Sequence, residues 1–347
     1  MKNYQMKKLF KMKMYRLFVM LISGLVLVVS CGKPTDPESL NKEDVSGGYK
    51  VITQYTTAGY AQDVLIKDHL AYIAQGEVGL MIVNVADPKN PQTVSIASDG
   101  VRGYSSKIDM KDSVVYIAAG SFGVTVLNVV DPYTPFVTIA NTSMKPAKGL
   151  HIMGDYLYTA ISEQGVKIAD ISYPTQPDPR GVTSTSGYAT SVSVTADTNL
   201  MLVACGEMGL SIYDISDFQD GYGEYPLVSL TVTPGYTEDI AILDGKSLAF
   251  MACGTSGLQI IDFSDTTNVH VVGSYDGPGY AKELIYKDEK VFMTAEQGGL
   301  QIFDVSDATN PKLIGLVDME YALGIDMDDN YIYVADDEDG LIIVSIP

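Results

Sequence analysis

The chain has 347 residues, 46% of them apolar, with no Trp, 23 Tyr and a net charge of -20 at neutral pH. That length suffices for one large or two ordinary domains around a substantial core. So acidic a surface repels nucleic acid and anionic headgroups and excludes charge-driven binding to either.

The N-terminus reads differently from the rest. Residues 1–16 carry six positive charges and no negative ones, and 17–30, "LFVMLISGLVLVVS", are mostly apolar. Fourteen residues are short for a membrane span, which needs about 20, and fit the n- and h-regions of a secretory signal. "VVSC" follows, with Cys31 after small residues. This resembles the lipobox of bacterial lipoproteins. The resemblance implies cleavage before Cys31, acylation of that residue, and a membrane attachment through lipid. An ordinary signal peptide with a chance cysteine, or an uncleaved short anchor, is the plainer reading. Gly32 in place of Asp is similar to lipoproteins sent on to the outer membrane, facing the periplasm or the outside. Residues 31–48 are polar and rich in Pro, Gly and charge, as a flexible tether is. Loss of residues 1–30 would take the net charge from -20 to about -26.

From residue 49 the chain repeats. A segment like "GYAQDVLI" opens each unit at 59, 103, 145, 187, 235, 279 and 320, with steps of 41 to 48 residues. Each unit continues with a polar turn, a strand such as "AYIA", and a Gly-containing turn. A strand such as "LQIFDV" follows, then a "DPxxP"-like loop and a last strand. Short Val/Ile/Tyr-rich segments between Gly, Pro and Asp read as strands. No helix is expected between 49 and 347. Four short antiparallel strands at this period predict a propeller, all-β, with seven four-stranded blades. The seventh unit stops at its third strand, "LIIVSIP", while "YKVITQY" at 49–55 precedes the first unit. The N-terminal strand is therefore expected to complete the last blade and close the ring. The longest unit holds an insertion at 219–226.

The runs "LMIVNVADPKNP", "LQIIDFSDTTNV" and "LQIFDVSDATNP" resemble the LVIVD repeat, a propeller family. The resemblance covers nearly all of 49–347 and implies architecture, with no common reaction to carry over. The unit opening at Lys145-Pro146 departs most from the pattern. Cys205 and Cys253 occupy equivalent positions in successive units, too far apart to bridge, and read as buried small residues.

Strand order puts the unit openings and the second-to-third-strand turns on one face, where propellers usually bind ligands. Asp63, Glu77, Glu207, Glu238, Asp239, Glu283, Asp337 and Asp339 fall there, among Lys107, Lys148 and Lys282. A funnel for a cation or basic segment and a plain solvated surface both fit. Tyr60, Tyr104, Tyr188, Tyr236, Tyr280 and Tyr321 share one position. Repetition favours inter-blade packing over an aromatic sugar or peptide site. The seventh residue of the opening segment varies: Leu65, Asp109, His151, Ser193, Ala241, Ile285, Asp326. Asp109, His151 and Asp326 are the candidates for acid–base work in a channel. Asp109 and His151, on adjacent blades, are expected to pair and raise the histidine's pKa. Ser193 with them echoes a hydrolase triad, without an elbow or oxyanion hole. No zinc spacing or phosphate loop is present; "DDEDG" at 336–340 is calcium-like but fails the EF-hand pattern. No cofactor is implied, save for a calcium ion at that turn. The expectation is a monomeric binding or scaffold module for a protein or glycan partner. The alternative is an envelope hydrolase or lyase.

Overall fold

The computed structural model describes residues 45–141, 143–218 and 220–347. The signal-like segment, Cys31 and the expected tether up to residue 44 lie outside them. Twenty-eight strands form seven four-stranded antiparallel sheets. Among the described residues between the strands, a three-residue 3-10 turn, Asp244–Lys246, is the one helical feature. Blade 1 runs outward through Asp63–Lys67, Leu70–Gln75, Gly79–Asn84 and Gln92–Ala97. Blades 2 to 6 repeat that order. Blade 7 comprises Ala322–Met327, Tyr331–Asp336 and Gly340–Ser345, with Lys50–Tyr55 outermost. The closure is thus as expected: Lys50 pairs with Ser345 and Tyr55 with Leu341.

The propeller begins earlier than the tether boundary at 48 suggests. Gly47, with φ of +60°, is packed so closely on blade 6 that a Cβ there would lie 2.1 Å from the Ile314 carbonyl oxygen. Tyr49 is buried between blades 6 and 7, edge-on to Phe292 at 6.2 Å. The inserted loop also packs: Gly181 of blade 3 donates to the Gly221 carbonyl oxygen at 2.6 Å, and Arg180 lies over the Tyr222 ring. It braces blade 4 against blade 3 and does not stand free.

The core is seven separate clusters, one per blade interface. Alternate residues of one strand serve opposite interfaces. Ala71 and Ile73 pack on blade 7, while Tyr72 and Ala74 pack on blade 2. Both faces of a blade are therefore apolar, and simple polar–apolar alternation is lost. In every blade the pairing of the two outer strands carries a register shift, as between Ile82 and Val83. Such bulges add twist and blunt the exposed edge.

The repeated phrase "GLQIFDVSDATNP" is a folding device. Gly299 has φ of +68°, and a Cβ there would come within 2.2 Å of the Val317 carbonyl oxygen. Asp304 accepts the Ser306 N–H at 2.9 Å, and Asp307 accepts the Thr309 N–H at 3.1 Å. Both are Asx turns that reverse the chain between third and fourth strands. Hydrogen bonds to Ser306 and Thr309 hold these two carboxyls below their ordinary pKa. Much of the chain's acidity is spent this way, on the face opposite the unit openings.

Candidate functional site

In blades 1 to 6 the second-to-third turn bridges to the opening segment of the next blade, and Gln62 donates to Asp337 where blade 1 meets blade 7. Gly76 and Ser105 exchange backbone hydrogen bonds of 3.1 and 2.8 Å, and five equivalent bridges run from Gly120–Ala147 to Glu296–Ala322. This belt sets seven opening segments around the axis. Their fifth residues form one ring: Asp63, Lys107, Gly149, Ser191, Asp239, Glu283 and Gly324. The two glycines make room. A Cβ on Gly149 would lie 2.8 Å from Ser191 Cα, and one on Gly324 2.5 Å from Asp63 Cα.

Lys107 spans the axis from blade 2 to blade 6, with its Nζ 2.5 Å from Glu283 Oε2 and 3.7 Å from Asp63 Oδ2. Asp239 accepts from Ser191 Oγ at 2.7 Å and from the Leu284 N–H at 3.1 Å. Burial draws the Lys107 pKa down, but Asp63, Glu283 and Asp239 together raise it further, so the ammonium stays charged. Burial, and then the Asp63 and Asp239 carboxyls acting against Lys107, push Glu283 well up. Burial also raises Asp63. This plane of one ammonium and three carboxyls separates two cavities that share Lys107, Asp239 and Glu283.

The upper cavity, about 720 Å³, opens at the mouth. Its wall includes Tyr104, Tyr236, Tyr280 and Tyr321, with Lys148, Glu238, Lys282, Glu296 and Asp337 between them. Lys282 pairs with Glu238 at 3.2 Å, and Gln62 donates to Asp337. Lys148 has no ion pair among the described residues. Three of these tyrosines serve both readings weighed from the sequence. The rings of Tyr104, Tyr236 and Tyr280 cover Gly76, Gly206 and Gly254 of the preceding blades, where an added Cβ would sit 2.8–3.0 Å from ring carbons. They pack between blades with one face and line the mouth with the other. Burial, then the charge and hydrogen bond of Glu238, push the Tyr280 phenol up.

The lower chamber, about 230 Å³, is lined by Asp109, His151 and Asp326 but not by Ser193. The expected Asp109–His151 pair does not form. Asp109 gives one oxygen to the Met110 N–H at 2.7 Å and the other to the Ile152 N–H of blade 3 at 3.0 Å. Asp326 likewise takes the Met327 and Ile66 N–H groups at 2.8 and 2.6 Å. Asp63 does the same with Val64 and Ile108. The cause is general. An innermost strand presents unpaired N–H groups to the channel, and a carboxylate on the adjacent blade satisfies them. These acids strap blades together. Burial still raises Asp109 and Asp326 to about 6.

Of the acids expected on the open face, Asp63 and Asp239 are instead buried in the channel, each as the first residue of its blade's innermost strand. Glu238, Glu283 and Asp337 line the upper cavity. Glu77 and Glu207 are exposed on turns outside it. Asp339 faces outward and accepts from Gln54 of the outermost strand at 3.0 Å. In the calcium-like turn, Asp336 is fully buried and accepts three backbone N–H groups, from Tyr321, Glu338 and Asp339. Its carboxylate is thereby committed to the turn. No group of side chains among the described residues is arranged to hold a metal ion. Cys205 and Cys253 are buried and free, as expected, and burial raises both thiols to about 11.

Burial holds His151 at a pKa of about 4, so it is neutral at physiological pH. The unfolded chain takes up a proton below about pH 6.5, where the folded one does not. Stability from this site is therefore present above about pH 6.5 and lost as the pH falls towards 4. His151→Leu is expected to gain ~1–3 kcal/mol on the parent between neutral pH and about pH 4, read by urea unfolding. An equal pH response in the two proteins would refute it.

Residues 58–98, 146–182, 234–277, 278–319 and 321–346 match the family model described as the LVIVD repeat, more than half of the chain. No curated protein matches the sequence. Among solved structures, the WD40 β-propeller domain of Doa1 is similar with a TM-score of 0.68 at 10% identity, covering 86% of this chain and 97% of that one. A chain of the mitotic checkpoint complex gives 0.65 at 12%, covering 91% and 95%. The computationally designed Ika8 protein gives 0.63 at 10%, covering 86% and 100%. Identities this low carry the fold alone.

Proposed function

The chain belongs to the LVIVD repeat family, and from that premise we propose that it is a lipid-anchored envelope module that binds a protein or glycan partner at its channel mouth. The observation that carries this reading is the mouth itself. A cavity of about 720 Å³, rimmed by tyrosines, breaks the sevenfold pattern with charges of both signs. Its size is that of a ligand site, and aromatic rims with a few polar groups are the usual chemistry of one. The alternative, an enzyme using Asp109, His151 and Asp326, loses support because Asp109 and His151 do not pair and each carboxylate straps its own strand to the adjacent blade through backbone N–H groups.

The test is affinity capture from native envelope, comparing the parent with a Tyr236→Ala/Tyr280→Ala variant and with Tyr133→Ala on the opposite face. A partner captured by the parent and by Tyr133→Ala, but lost from the mouth variant, is the expected result. Equal capture by all three would place the partner elsewhere. Anchoring is tested separately: Cys31→Ala should move the protein from the membrane to the soluble fraction, and unchanged retention would rule out the lipid anchor.

A further inference from the structure

The lower chamber has the opposite problem from an empty apolar cavity: it holds too much of one charge. Five carboxyls, from Asp63, Asp109, Asp239, Glu283 and Asp326, line about 230 Å³ with a single ammonium, Lys107. An excess of like charge in so confined a space costs free energy unless a counter-charge enters or protons are taken up. The protein's own donors there are committed. Ser191 gives its hydroxyl to Asp239, and Lys107 is drawn to Glu283 and Asp63. The carboxylate oxygens retain lone pairs beyond the N–H groups they already accept. One nitrogen is left over: the buried Nε2 of His151, which lines the same chamber and has no hydrogen-bond partner.

A metal ion does not answer this arrangement, since no described side chains are gathered closely enough to coordinate one. An alkylammonium does. It carries one positive charge, and its three N–H donors reach acceptors set several ångströms apart around a small polar space. We propose that the lower chamber binds a primary ammonium group, carried at the end of a polyamine or of a lysine side chain from a partner protein. The inference deepens the reading of the channel as a binding site and rests on it. It differs in naming the chemistry recognised. His151, kept neutral by its burial, accepts one of the three donors, and the surrounding acids supply the charge. Since burial raises the acids, ammonium entry displaces protons, and affinity falls as the pH drops.

The experiment is calorimetric titration of the full chain, purified in a nonionic detergent, with spermidine and separately with an N-acetylated lysyl tetrapeptide. Expected is one-to-one binding with Kd below about 1 mM at about pH 7.5, at least about tenfold weaker at about pH 5. Proton release should show as an enthalpy that depends on the buffer. Two variants guard against misfolding. His151→Leu removes an unpartnered polar atom, so it should fold and bind about tenfold more weakly. Ser191→Lys delivers a tethered ammonium beside Asp239 and should abolish binding while raising the thermal midpoint. Binding of the peptide alone assigns a protein source, binding of spermidine alone a free polyamine, and binding of both the shared group. No heat with either probe, or undiminished binding in Ser191→Lys, overturns the proposal. The capture experiment reads the mouth and would stand independently of that failure.

Discussion

Deletion of residues 341–347 is expected to abolish cooperative unfolding of the propeller. The segment carries all but the first residue of Gly340–Ser345, the third strand of blade 7, which is paired on one side with Tyr331–Asp336 and on the other with Lys50–Tyr55. Its side chains alternate between two interfaces. Leu341 and Ile343 enter the cluster shared with blade 1, and Ile342 and Val344 the cluster shared with blade 6. All four are at most 1% exposed. At about 1.5–3 kcal/mol for each buried aliphatic side chain, roughly 6–12 kcal/mol is lost. That is as large as the whole stability of a typical domain, about 5–15 kcal/mol. The N-terminal strand also loses its partner, so the ring opens at one seam and exposes edges on both sides. Differential scanning calorimetry measures the outcome. A single sharp transition within a few degrees of the parent would show that closure contributes little.

Lys107→Met is expected to cost ~3–5 kcal/mol at about pH 7.5, the usual penalty for leaving one side of a buried ion pair unmatched. The variant strands Asp63, Asp239 and Glu283 around an apolar tip, with only Ser191 and backbone N–H groups for support. The pH dependence distinguishes this cause from simple loss of packing. Burial lifts the folded pKa of Asp63 and Glu283 above the unfolded values even with Lys107 present, and its removal lifts them further. A folded state that binds protons more readily than the unfolded one loses stability as the pH rises through that window. The variant should therefore recover much of its deficit when the pH is lowered to about 5. Adding Glu283→Gln should recover part of it at about pH 7.5 by removing one stranded charge. Urea unfolding at both pH values checks this, and a deficit that ignores pH would mean that Lys107 acts through its methylenes alone.

The architecture was legible because it is written locally and repeatedly. Strand-forming residues, positive-φ glycines such as Gly299 and turn aspartates such as Asp304 and Asp307 do the same work in successive blades. The unfinished seventh unit told where the N-terminal strand must go. The channel was only half legible. Aligning the repeats marks the positions that vary, and the seventh position led to Asp109, His151 and Asp326. The fifth position varies as much, through Asp63, Lys107, Ser191, Asp239 and Glu283, yet its charged members read as residues of the open face because each lies three residues after the repeated tyrosine. A shift of one residue along a strand moves a side chain to the other side, and position in the sequence alone does not say where the strand turns inward.

Sequence by itself determined the number of blades, their strand order, the seam and the irregular third opening at Lys145-Pro146. Each of these depends on chemistry within one repeat and on counting. Only the tertiary structure decided what the inner acids do. Asp109 falls beside His151 when the repeats are aligned, but its carboxylate accepts the N–H of Ile152 instead. Lys107 meets Glu283 although 176 residues separate them, because closing the ring sets blade 2 facing blade 6 across the axis. Contacts across that axis have no counterpart in the repeat, and it is there that the blades stop being equivalent.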